Sequence, residues 1–214
     1  MKKDCLIIGI CGGSGSGKTT IIEELMHLMR DHQPALLSLD NYYKSIDEQE
    51  LDAQGHVNFD LPGAIDSERY CADLNRLRNG ASLHLKKYQF NHRDKEEYID
   101  IASSRIILTE GIFLFNIPEA MAMIDVKIYV ELDQEIQLQR RLKRDVRERG
   151  YDQDAVMYQW HNHVLPAYQN FIQIHKEKAD LVLKNDGDKQ FLVDLVDQFV
   201  LSHPKVNEFC VSQN

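Results

Sequence analysis

Long apolar runs are missing from this chain of 214 residues. No stretch approaches the roughly 18 apolar residues of a spanning helix, so no segment is expected to cross a membrane. Basic excess is missing too. Lys and Arg number 25 against 34 Asp and Glu, a formal net charge of −9, which argues against broad electrostatic capture of nucleic acid or of an anionic membrane. Cysteine is scarce. Cys5, Cys11, Cys71 and Cys210 match no zinc-binding spacing, and a reduced, cytoplasmic protein is the expectation. The opening Met-Lys-Lys-Asp-Cys leads into an apolar run too soon for a signal peptide. Repeats and low-complexity tracts are absent, and the length suits one α/β domain with decorations.

What is present begins at residue 12. Gly12, Gly13, Ser14, Gly15, Ser16, Gly17, Lys18 and Thr19 fit the phosphate-binding pattern G-x-x-x-x-G-K-[ST]. The apolar segment 5–11 precedes it and reads as a buried strand. Apolar residues at helical spacing follow it: Ile21, Ile22, Leu25, Met26, Leu28 and Met29. Strand, glycine loop and helix are the context the motif requires. Glycines let backbone N–H groups approach polyphosphate oxygens, and the helix N-terminus adds unsatisfied donors and partial positive charge. Lys18 suits the β- and γ-phosphates, and the Thr19 hydroxyl suits Mg²⁺. The alternative is a glycine-rich turn that binds nothing.

Further strands are expected at 35–39, 105–109, 126–130 and 181–183. Helical patterns lie near 67–78, 133–148, 154–177 and 189–201. The alternation predicts an α/β fold with a mainly parallel sheet flanked by helices. Segments 82–90 and 97–101 break the rhythm around a polar turn and predict a β-hairpin insertion. The expected organisation is a single domain over 1–201, with the hairpin at about 82–101 and a lid at about 140–160. A polar, loose tail follows over 202–214.

Ligands of open α/β sheets lie outside the carboxyl ends of the strands. Asp40 and Glu110 fall there. One carboxylate at this edge can act as general base and another can hold Mg²⁺; alternatively, Asp40 caps its turn. Asp60, in Asn-Phe-Asp-Leu-Pro-Gly over 58–63, can bond a sugar diol or be an ordinary turn aspartate. Residues 140–149 hold six cations: Arg140, Arg141, Lys143, Arg144, Arg147 and Arg149. Pairs Arg141–Asp145 and Arg144–Glu148 at i, i+4 would make part of this a solvated, salt-bridged face. The surplus of cations favours arginines that close over phosphates. His161 and His163 are two apart, so they point to different helix faces and make a poor shared metal site. Trp160, Tyr168 and Phe171 are expected to pack.

Taken in order, these motifs resemble the phosphoribulokinase/uridine kinase group of P-loop kinases, and within it the uridine–cytidine kinases. The resemblance spans about 7–198. It rests on 12–20, Asp-Asn-Tyr-Tyr at 40–43, Asn-Phe-Asp-Leu-Pro at 58–62, Thr-Glu-Gly-Ile at 109–112, the arginine block through Gly150, and Val-Leu-Pro-Ala at 164–167. It implies transfer of the γ-phosphoryl of ATP, with GTP as an alternative donor, to the 5′-hydroxyl of uridine or cytidine with Mg²⁺. It implies Asp40 as base, with Lys18 and Arg144 on the phosphates. The P-loop through Thr20 and Asp188 would hold the nucleotide. Asp60, Tyr88, His92, Arg141 and Gln159 would contact the nucleoside, and Thr19 and Glu110 the metal. It also implies a homotetramer.

Three departures from the family pattern stand out. Tyr-Gln-Phe-Asn-His at 88–92 is one residue short and has Gln89 for Asp. Tyr151 replaces an arginine, and Lys-Asn-Asp at 184–186 replaces Pro-Arg-Gly. Two rivals therefore stand beside the leading expectation: a kinase of the same group with another riboside or sugar acceptor, and a non-catalytic nucleotide-binding regulator.

Overall fold

The strand before the glycine loop, β1 (Leu6–Gly12), is buried along its whole length. Its even-numbered residues Leu6, Ile8 and Ile10 pack on one face of the sheet, and Ile7 and Cys11 on the other. Covering both faces explains why the run is continuously apolar rather than alternating. The computed structural model describes residues 5–90, 96–185 and 189–211.

From β1 the chain runs through α1 (Lys18–Leu28), β2 (Ala35–Ser38), α2 (Ser67–Arg78), β3 (Leu83–Lys86), β4 (Tyr98–Ile101) and β5 (Ile106–Glu110). It continues through α3 (Pro118–Met123), β6 (Val126–Glu131), α4 (Gln134–Arg147), α5 (Gln153–Gln159) and α6 (Leu165–Ala167). It ends with β7 (Leu181–Lys184), α7 (Lys189–Ser202) and α8 (Pro204–Val211). Five strands form one parallel sheet in the order β2-β5-β1-β6-β7. Helices α1, α7 and α8 cover the face lined by Ile8 and Ile10. Helices α2 and α3, the β3–β4 pair and residues 167–172 cover the other.

Aspartates set the helix starts. Asp66, Asp133 and Asp152 each accept a backbone N–H from the first turn of α2, α4 and α5, satisfying donors that the helix cannot. The β3–β4 pair is antiparallel, with Leu83 opposite Ile101. Leu83, Leu85 and Ile101 anchor this insertion in the core.

Three expectations change. The pattern over 154–177 is not one regular helix: π-helical turns at Trp160–Val164 and Tyr168–Ile172 flank α6, which carries Pro166. Proline lacks the N–H that regular α-helical bonding needs, so the register shifts around it. Over 202–211 the expected loose tail is replaced by the end of α7 and by α8, with Val206 buried against the sheet; residues 212–214 lie outside the described residues. The short helix α3 had no separate periodic signal. Among the described residues no helix is long and apolar enough to cross a membrane.

Candidate active site

Parallel pairing brings three strand ends together. Glu110, the last residue of β5, stands opposite Ile10 of β1 and Ser38 of β2. The Ser38 hydroxyl donates a hydrogen bond to Glu110 Oε1, and the Ser38 Oγ accepts the Asp40 backbone N–H at 3.2 Å. Asp40 itself sits in the 3₁₀ turn Leu39–Tyr42. Asp40 and Glu110 thus face one cavity of about 570 Å³ with Lys18, Thr19 and Thr20. This is the crevice that open α/β sheets offer ligands.

The two carboxylates feel each other. Burial first, and the charge of Asp40 second, raise the Glu110 carboxyl to about 7; Lys18 and the Ser38 bond oppose this. The Lys18 ammonium donates to the carbonyls of Gly12 and Gly13 at 3.1 and 3.3 Å. Its stem is therefore already turned over the loop.

The glycines of the loop also make room for protein, not only for ligand. A Cβ on Gly13 would run into the Gln137 side chain, one on Gly15 would lie 2.8 Å from the Gln137 carbonyl, and one on Gly17 would overlap the Asn185 amide. Gly17 has φ +102°, a left-handed conformation that glycine adopts without strain. Asn185, at the end of β7, donates to the Ser16 carbonyl at 2.7 Å. It therefore braces the loop from the carboxyl edge of the sheet.

Helix α4 buries Gln137, Arg141 and Asp145, one stripe at i, i+4 and i+8. The stripe is polar because it lies on the phosphate loop rather than on the apolar core. Arg141 donates to Ser14 Oγ at 3.3 Å and to Gln159 Oε1 at 3.1 Å, and it pairs with Asp145 at 3.2 Å. Arg144 and Arg149 reach the other Asp145 oxygen at 2.8 and 3.3 Å. The expected Arg144–Glu148 pair is absent from the ion pairs of the described residues. Asp145 draws Arg144 inward because it is almost fully buried and attracts three guanidinium groups. Of the two i, i+4 pairs in the sequence, Arg141–Asp145 forms and lines the cavity, while Arg140, Lys143 and Arg147 are exposed. The helix ends before Gly150, at φ +68°.

Asp60 lies 3.9 Å from Arg141. Burial raises its carboxyl, and Arg141 and then His163 oppose the shift. The cavity that Asp60 lines is also lined by Val57, Phe59, Tyr43, Phe90, Gln159 and His163. Arg149 lies over the Phe90 ring at 4.2 Å, a cation–π distance.

Of the expected site residues, Ser14, Gly15, Gly17, Lys18, Thr19, Thr20, Asp40, Asp60, Glu110, Arg141, Arg144 and Gln159 line this cavity. Gly12, Gly13 and the buried Ser16 shape the loop behind it. Tyr88 is not among the lining residues. It packs on Tyr43 and Phe90 at 5.3 and 4.9 Å, and Phe90, two residues on, takes the wall. His92 and Asp188 lie outside the described residues. Sequence reasoning assigned no role to Ser38, Tyr43, Phe90 or Asn185. The available signals were Ser38 at a strand end and Asn185 as a departure from the family pattern. His161 is exposed whereas His163 is buried, so they do point apart. Trp160 and Tyr168 pack as expected.

A profile of the phosphoribulokinase/uridine kinase family matches residues 7–191. The uridine kinase of Staphylococcus haemolyticus is 37% identical over 191 residues, covering 89% of this chain and 92% of that protein. Uridine kinase-like protein 4 of Arabidopsis thaliana is 31% identical over 210 residues, covering 98% of this chain; the chain spans 45% of that longer protein. Among solved structures, a possible uridine kinase from Bacillus stearothermophilus superimposes with a TM-score of 0.61. It covers 85% of this chain and 90% of its own, and at 20% identity it speaks to the fold alone.

Proposed function

The chain belongs to the phosphoribulokinase/uridine kinase family, and from that premise we propose that this ATP-dependent kinase phosphorylates the 5′-hydroxyl of uridine or cytidine. One observation carries the proposal. A single cavity joins the phosphate loop and two carboxylates at its donor end to Asp60, Gln159 and an aromatic wall at its acceptor end.

In this proposal Asp40 accepts the proton of the 5′-hydroxyl as that oxygen attacks the γ-phosphorus. The bond to the β–γ bridging oxygen breaks and ADP leaves. Lys18 exchanges its carbonyl partners for phosphate oxygens. Arg144, held by Asp145, stabilises charge on the transferred group. Asp60 accepts hydrogen bonds from the ribose diol. Arg141 and Gln159, bonded to each other, fix the ribose, and Tyr43, Phe59 and Phe90 enclose the base.

The donor atoms suit Mg²⁺. Thr19 and Glu110 offer hard oxygens beside Asp40, and the repulsion that raises Glu110 is what a cation would relieve. An ion of this kind would be carried chiefly by phosphates and water. When bound it would neutralise charge on the β- and γ-phosphates. ATP as donor, a cytoplasmic location and a homotetramer belong to the same proposal.

A panel of nucleosides and sugars, scored by ADP release, tests the acceptor. Uridine and cytidine should lead it. A sugar or another riboside leading would replace the acceptor, and ATP binding with no turnover on any member would favour a regulatory role.

A further inference from the structure

Between Asp40 and the hairpin the chain makes a tight strap. Leu51 pairs with Val57 as an isolated antiparallel bridge, and Asp52 N–H donates to the His56 carbonyl at 2.8 Å. Asp52 closes the strap from within. Its Oδ1 accepts the backbone N–H groups of Gln54 and His56, each at 2.9 Å.

The other oxygen of the same carboxylate reaches across 106 and 111 residues of chain. Asp52 Oδ2 accepts the Tyr158 hydroxyl at 2.7 Å and His163 Nε2–H at 2.8 Å. Both partners sit on the helical segment that follows the arginine block. The Tyr158 hydroxyl first, with His163 and the two strap amides, holds the Asp52 carboxyl well below the usual range. An ionised carboxylate donates nothing, so the imidazole proton must be on Nε2. The His56 ring packs on Tyr158 at 4.6 Å between centroids.

What the connection joins is the acceptor half of the cavity. Val57 and Phe59 line it from the strap, and Gln159 and His163 line it from the helix. Asp60 follows directly, its N–H held by Asn58 Oδ1 at 2.9 Å. His163 is 2% exposed and lines the cavity, while half-buried Asp52 and Tyr158 hold it from outside the lining.

We propose that Asp52, Tyr158 and His163 form a latch between strap and helix, and that they act as positioning residues for the phosphoryl acceptor. The inference rests on the acceptor end assigned above, but not on the acceptor being uridine. Opening the latch frees Phe59 and Asp60 on one side and Gln159 on the other. The phosphate loop keeps its braces from Gln137 and Asn185; Gln159 reaches it through Arg141, which also bonds Ser14.

Asp52→Ala removes both sides of the latch, and Tyr158→Phe removes one hydroxyl and keeps the ring. Each is assayed with the best acceptor from the panel and followed by amide hydrogen exchange. In Asp52→Ala the acceptor kcat/KM should fall about tenfold or more while the KM for ATP stays within about twofold, with a smaller fall in Tyr158→Phe. The double variant should lose little beyond Asp52→Ala, because the two changes break one bond. Exchange over 51–57 should quicken in both variants with the sheet still protected. Acceptor kinetics unchanged while 51–57 exchanges faster would overturn the positioning role. Equal losses toward ATP and acceptor would mark a merely structural contact and overturn it too. Should Asp52→Ala not fold, Tyr158→Phe carries the same test. If the wild type turns over no acceptor, the proposed function fails on its own. The latch is then judged by exchange: acceleration supports it and unchanged protection overturns it.

Discussion

In the proposed mechanism the chemistry turns on Asp40. It stands two residues past the end of β2 and lines the same cavity as Glu110 and Lys18. Asp40→Asn keeps the shape and removes the proposed base. It should lower kcat by about 10²–10⁴, the usual share of general base catalysis, with ATP binding retained in calorimetry. Glu110 gives a second test, through pH. Its carboxyl lies at about 7 against an ordinary 4.5, so the folded protein favours the protonated form. The Glu110 contribution to stability without nucleotide should be fullest below pH 4.5 and be lost as pH rises through about 7. Thermal melts across that window should show the loss in the wild type and not in Glu110→Gln. These carboxylates were legible because strand ends point at ligands in this fold class. Ser38 was not, since a serine ending a strand looks ordinary until the parallel register sets it beside Glu110.

Helix α4 shows what a linear pattern hides. Its cations were visible in the sequence, and so was the Arg141–Asp145 spacing. The convergence of Arg141, Arg144 and Arg149 on one buried carboxylate was not, because the last of these comes from beyond the helix end. The wall formed by Phe90 rather than Tyr88 was hidden for a related reason: neighbours along a loop do not declare which ring faces inward. Asp145→Asn leaves the three guanidinium groups with a neutral partner. Breaking a buried pair of this kind costs about 3–5 kcal/mol, so the melting temperature should fall and the KM for ATP should rise. An unchanged melt would show that the arginines do not depend on Asp145.

At the scale of the molecule, the sheet order β2-β5-β1-β6-β7 puts the phosphate loop at the centre and the carboxylates beside it. Alternation of strands and helices predicted a parallel sheet, but not which strands would be neighbours, which only long-range pairing decides. The fifth strand, whose end supplies Asn185, was found; the loop contact it makes was not. The C-terminal segment looked polar and loose, yet buried Val206 and partly buried Phe209 dock it on the sheet. Because donor and acceptor share one cavity, ligands should stabilise the whole domain. MgATP at about 100 times its Kd should add roughly 2.7 kcal/mol, read as an upward shift of the melt, and Lys18→Ala should abolish that shift.

The most direct test of the account is the product itself. The protein is incubated with uridine, ATP and Mg²⁺, and the nucleotides are separated and weighed by mass spectrometry. The account predicts uridine 5′-monophosphate and ADP in equal amounts. ADP without any phosphorylated uridine, or phosphate on another ribose oxygen, would contradict it.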